Sequence, residues 1–149
     1  VRISELLPLT VSQLNTLLQR GWISINRAKR GPSTHKAFLT YEGKRIVKER
    51  QRDFEFILFM KEPNSYIFYS QQDHLHQLRR ESITREVNSV LLQVSQLLPN
   101  KPNLSSHSFR AGYITKLWKD TSDIEFVRQA IGHVKVQSTA SYLVNLTEE

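Results

Sequence analysis

His107 and Arg110 form a His-x-x-Arg pair, and their i, i+3 spacing turns both to one face if the segment is a helix. An imidazole moves protons near neutrality, and a guanidinium holds anionic oxygens at any ordinary pH. His133 follows Gly132, where a helix can stop and leave the histidine on a loop. Tyr142 stands nine residues further on. Arg2 and Glu5 repeat the i, i+3 spacing near the start, and Lys29 lies in a basic stretch. Taken singly, each feature has an ordinary explanation: a surface ion pair, a helix cap, a packing tyrosine or a solvated lysine.

The order and spacing of the whole set are another matter. Arg2-Ile3-Ser4-Glu5-Leu6, then Lys29, then His107-Ser108-Phe109-Arg110, then Gly132-His133, then Tyr142 resembles the tyrosine recombinase (phage integrase) family. The stretches Ala130–Val134 and Ser138–Tyr142 are especially similar to it. The resemblance spans nearly the whole chain.

It implies DNA strand cleavage and rejoining with no metal and no cofactor. Tyr142 would attack the scissile phosphate, giving a 3′-phosphotyrosine and a free 5′-hydroxyl. With an ordinary pKa near 10, the phenol needs a base or cationic surroundings. Arg2 and Arg110 would hold the equatorial oxygens, and His133 would donate a further hydrogen bond. His107 would act as general acid/base or positioning histidine. Lys29 would protonate the leaving 5′-oxygen, with Lys36 as the alternative in the same hairpin. Glu5 would orient Arg2 or a histidine.

The charge pattern agrees with a phosphate partner. The 149 residues carry a net charge of +7, but ten basic residues against two acidic ones fall between positions 20 and 52. Such a block is the electrostatic footprint of a protein lying on a phosphate backbone, and equally of a solvated face. Arg27, Arg30 and Lys36, around Lys29, would contact double-stranded DNA, fixing register without reading bases. A membrane partner is not expected, because the block has no long helix with an apolar face opposite the charge.

Cysteine is absent, which excludes disulfide scaffolds, thiolate metal sites and cysteine nucleophiles. No apolar run approaches the roughly 20 residues that span a bilayer. His74 and His76 have a spacing that can ligate a metal on an extended segment, but no motif brings a further ligand, so no metal site is expected. Trp118 and Phe109 are expected in the core or at its rim, and His35 in solvent.

These groups need elements to position them. Leu6, Leu7, Leu9, Leu14, Leu17 and Leu18 predict a helix interrupted near Pro8 and ended by Gly21. Trp22–Ile25 alternates as a strand, Gly31-Pro32-Ser33 predicts a turn, and Lys36–Leu39 predicts the returning strand. Residues 42 to about 60 read as helix, with Ile46, Phe54, Ile57 and Phe59 apolar. Tyr66–Tyr69 is a strand or extended run. The remainder reads as entirely helical. One helix carries Ile83, Val87, Val90, Leu91, Val94, Leu97 and Leu98; a second is capped by Ser105 or Ser106; a third is capped by Asp123 and ended by Gly132; a short last helix holds Tyr142. The fold class is α+β, mainly α: a helical catalytic domain with a small antiparallel hairpin.

One domain is expected over residues 1–149, a catalytic domain trimmed at its N-terminus and lacking the family's N-terminal core-binding domain. It would be a monomer alone and part of a homo-tetramer on DNA in a full-length protein. Its place would be intracellular and DNA-associated, in cytoplasm, nucleoid or an organelle. Two alternatives stand beside the recombinase: a type IB topoisomerase with the same chemistry, and a DNA-binding module of the same fold that does no chemistry.

Overall fold

The structure, a computed structural model, describes residues 1–26 and 34–143, the His74 side chain excepted. It contains two compact units, one formed by Arg2–Asn26 with Thr34–Arg80 and the other built from Glu81 onward.

In the first unit, α1 (Ile3–Leu6) is one turn long, and the Glu5 carboxylate accepts from the Arg2 backbone N–H at 2.7 Å. Helix α2 (Val11–Arg20) begins in a reciprocal cap. The Thr10 hydroxyl accepts from the Gln13 N–H, and the Gln13 side chain accepts from the Thr10 N–H. It stops at Gly21, whose φ of 79° is costly for any residue with a Cβ. Strands β1 (Trp22–Asn26) and β2 (Thr34–Phe38) pair antiparallel, with Ser24 opposite Lys36. Period-2 alternation sends Ile23 and Ile25 into a core with Leu9 and Leu14. Trp22, Ser24 and Lys36 therefore take the other face.

Residues 41–58 form two helices rather than one, α3 (Tyr41–Glu49) and α4 (Gln51–Leu58). Arg50, at φ −104° and ψ 22°, leaves helical geometry between them. The break rotates α4 so that Phe54, Ile57 and Leu58 reach the core, whereas Ile46 and Phe59 are exposed.

A second small sheet follows. Tyr66 bridges Thr10, β3 is Tyr69–Ser70, and β4 is Asp73–Gln77. The helical reading of everything past Tyr69 is thus corrected at 73–77. His35 also departs from expectation: it lies opposite Ile25 on the inward face and is half-buried.

The second unit is helical: α5 (Arg80–Leu97), α6 (Ser106–Thr121), α7 (Ile124–Ile131) and α8 (Val136–Ala140). Its core is Ile114, Val127, Ile131 and Leu143, with Leu117, Trp118 and Ile124 packed around it. Trp118 thus occupies the rim as expected, but Phe109 is 65% exposed and belongs to no core. On α5 the stripe is narrower than the sequence pattern: Ile83 and Leu91 are buried, while Val90, Val94, Leu97 and Leu98 are exposed. Among the described residues, no helix is long and apolar enough to cross a membrane.

Candidate active site

The second unit brings three of the expected site residues together. Helix α6 starts at Ser105, whose N–H donates to the Ser108 hydroxyl at 3.0 Å. The Ser106 N–H donates to the Asn88 side chain on α5 at 2.9 Å. This anchored first turn carries His107, which is exposed, and Arg110, which is half-buried.

Helix α7 starts at Asp123, whose carboxylate accepts from the Glu125 and Phe126 N–H groups, both at 2.9 Å. It ends in a Schellman motif. The Gly132 N–H donates to the Gln129 carbonyl and the His133 N–H to the Arg128 carbonyl, with Gly132 at φ 70°. That turn swings His133 off the helix axis and back toward Arg110.

The Arg110 Nη2 lies 2.8 Å from His133 Nε2, and the Thr139 hydroxyl, on α8, lies 3.0 Å from Nδ1. His133 is 7% exposed and Thr139 is fully buried. Both ring nitrogens are therefore engaged in a place that water reaches little. Tyr142 stacks on His133 with ring centroids 6.0 Å apart and planes inclined by 22°. Tyr142 sits in the turn just past α8 rather than within a helix, and Leu143 beside it is buried in the core. The ring is 36% exposed, so a packed histidine lies on one side and solvent on the other.

Arg128, which no sequence motif marks, ties this loop down. Its Nη1 donates to the His133 carbonyl at 2.6 Å and to the Val134 carbonyl at 3.3 Å. Its Nε and Nη2 grip the Glu125 carboxylate at 2.8 and 2.5 Å. The Arg128 hydrogen bonds, then that of Gln129, hold the Glu125 carboxyl down to about 2, and Glu125 in turn raises the Arg128 guanidinium above its ordinary value. Thr139 was equally missed. Thr139 lies in the Ser138–Tyr142 stretch, but nothing beyond its common i, i+3 spacing to Tyr142 pointed to a role for its own side chain.

Arg2 and Glu5 belong to the first unit, where Glu5 is buried. Lys29, Arg27 and Arg30, with the turn at 31–33, lie outside the described residues. Lys36 projects from the outward face of β2, its Nζ 4.8 Å from the centre of the Trp22 ring. His76 Nδ1 pairs with the Asp73 carboxylate at 2.8 Å. Among the described residues no three metal-ligating side chains gather.

The model of the phage integrase family matches residues 1–149. The chain belongs to the phage integrase family. Its fold is that of solved recombinases and a transposon integrase. XerA recombinase is similar over 95% of this chain, with a TM-score of 0.69 and 21% identity. The Tn1549 transposon integrase, in complex with a circular intermediate DNA, gives 0.63 and 15% over the same share. XerH site-specific recombinase, bound to a palindromic difH substrate in a post-cleavage complex, gives 0.54 and 17%, again over 95%. The chain spans 47%, 49% and 40% of those three chains, respectively. No curated protein sequence matches it.

Proposed function

We propose that this chain is the catalytic domain of a site-specific DNA recombinase that cuts and rejoins double-stranded DNA through a covalent phosphotyrosine. The observation that carries the reading is the convergence of Arg110, His133 and Tyr142, which lie far apart in sequence, into one connected cluster. Family membership supplies the reaction class; the cluster supplies side chains suited to it.

In this reading the Tyr142 hydroxyl oxygen bonds to phosphorus as the bond to the 5′-oxygen breaks. The phenolic proton leaves toward His107 or solvent, and the 5′-oxygen takes its proton from Lys29. Negative charge grows on the equatorial oxygens. Arg110 meets it with a permanently charged guanidinium that can turn its donors from His133 to the phosphate oxygens. Arg2 is the second guanidinium and Glu5 its orienting carboxylate, both assigned from their positions in the family pattern. Retaining the bond energy in the phosphotyrosine lets another strand's 5′-hydroxyl reverse the step without metal or cofactor.

The Lys36 ammonium already lies over the Trp22 ring. That favours Lys29 over Lys36 as the acid and leaves Lys36, with Arg27 and Arg30, to backbone phosphates. Action as a tetramer on DNA follows from the same resemblance.

The experiment is adduct trapping on a pool of nicked suicide duplexes of randomised sequence. Wild-type chain should give a DNA–protein species that survives detergent. Tyr142→Phe keeps the ring on His133 but should give none, and Arg110→Ala should lower the yield at least about 100-fold. A surviving adduct in Tyr142→Phe would remove Tyr142 as nucleophile.

A further inference from the structure

We infer that Thr139 is a positioning residue whose hydroxyl stabilises the Nδ1–H tautomer that Arg110 imposes on His133 and allows that assignment to exchange when a phosphate arrives. The inference deepens the recombinase reading and takes its second half from it.

The first half is a donor count. A guanidinium has only donors, so at 2.8 Å the Arg110 Nη2 must donate and His133 Nε2 must accept. Neutral imidazole then carries its proton on Nδ1. Nδ1–H points at the Thr139 oxygen, which accepts at 3.0 Å. The resting ring is thereby held in one tautomer from both sides, in a pocket where an unmatched nitrogen would be costly.

The second half follows from what the reaction asks of the same ring. To donate to a phosphate oxygen, His133 needs its proton on Nε2. As Arg110 turns its donors to the phosphate, Nε2 takes a proton from solvent water while Nδ1 passes its own back to solvent, so a neutral ring keeps one throughout. Nδ1 is then an acceptor. The Thr139 hydroxyl can rotate and donate to it, because a hydroxyl carries both a donor and lone pairs. If the ring instead becomes imidazolium, the same oxygen simply continues to accept. A carboxylate at this position could serve only the Nδ1–H forms, and a methyl group none.

Thr139 reaches no reacting atom in this scheme; it acts through His133. The test reads the tautomer directly. Histidine-¹⁵N-labelled wild-type chain, Thr139→Ser and Thr139→Val are compared by long-range ¹H–¹⁵N correlation, at a pH where imidazole is neutral. Adduct formation on the suicide duplexes is measured in parallel. Wild type and Thr139→Ser should show His133 as the Nδ1–H form, and Thr139→Val, with the Thr139 acceptor removed and the Arg110 donor still favouring that form, should show less of it. Adduct formation should fall at least about tenfold in Thr139→Val and recover in Thr139→Ser. An Nε2–H ring in resting wild type overturns the inference without any variant. Equal tautomer and equal rate in Thr139→Val and wild type overturn it as well. Absence of any adduct in wild type defeats the recombinase reading, while the tautomer spectra still decide what Thr139 does to His133.

Discussion

Leu143→Ala should detach the nucleophile from its site while leaving Tyr142 itself intact. Leu143 is 8% exposed and packs with Ile114, Val127 and Ile131, so it is the peg by which the Tyr142 turn is held to α6 and α7. The substitution removes three buried carbons. At about 0.8 kcal/mol each, the lost transfer free energy is about 2.4 kcal/mol. A cavity left behind would add to this, as the usual range of about 2 to 5 kcal/mol for such changes shows. The turn lies just past α8, so it can undock locally rather than carry the whole unit with it. A loss of about 2.4 kcal/mol corresponds to about a 60-fold fall in the docked-to-undocked ratio. Hydrogen exchange of the Tyr142 and Leu143 amides, which donate to the Thr139 and Ala140 carbonyls, should accelerate up to that factor. Adduct formation should fall with it, and Leu143→Met should behave much like wild type. If Leu143→Ala matches wild type within about twofold in both measurements, the peg is not Leu143 and the packing argument fails.

Three further outcomes follow from the α7 end of the site. Asp123→Ala removes the acceptor for two N–H groups at the start of α7 and should cost about 1 kcal/mol in a denaturant titration, with Asp123→Ser recovering much of it. Gly132→Ala forces a Cβ into φ 70° and should cost about 1 to 2 kcal/mol, with His133 displaced in its NMR resonances. The Glu125 carboxyl titrates at about 2 when folded against an ordinary value of 4.5. Its contribution is therefore complete above about 4.5 and lost as pH falls from there toward 2. Melting temperatures of Glu125→Gln should lack that part of the acid slope.

Much of the fold was legible because local rules and tertiary packing agree. Asp123, Gly21 and Gly132 mark helix ends by side-chain capping and by positive φ, and the structure uses all three; the cap at Thr10 emerges only in the structure. The β1–β2 pairing follows from alternation of Ile23 and Ile25 against polar neighbours. Strand β4 was not legible. Asp73–Gln77 is polar, its residues are largely exposed, and it is held by pairing with a two-residue partner rather than by a buried face. The break at Arg50 was hidden for a related reason: 41–58 has helical periodicity throughout, and only the packing of Phe54 and Ile57 selects two axes.

The site divides in the same way. Residue types that carry chemistry stood out by their order along the chain. Those that hold them did not, because Arg128 acts through backbone carbonyls and Thr139 through a ring nitrogen. Neither partner is visible until the Gly132 turn has folded His133 back between α6 and α8. Phe109 shows the converse: an aromatic residue in an amphipathic-looking helix reads as core, and the helix turns it to solvent.

The central claim is that the Tyr142 oxygen becomes bonded to DNA phosphorus. Mass spectrometry of the nuclease- and protease-digested suicide adduct tests it most directly. The account predicts a phosphonucleotide on the peptide containing Tyr142. The same mass addition on the α6 residue Tyr113, on any other side chain, or on none, would contradict it.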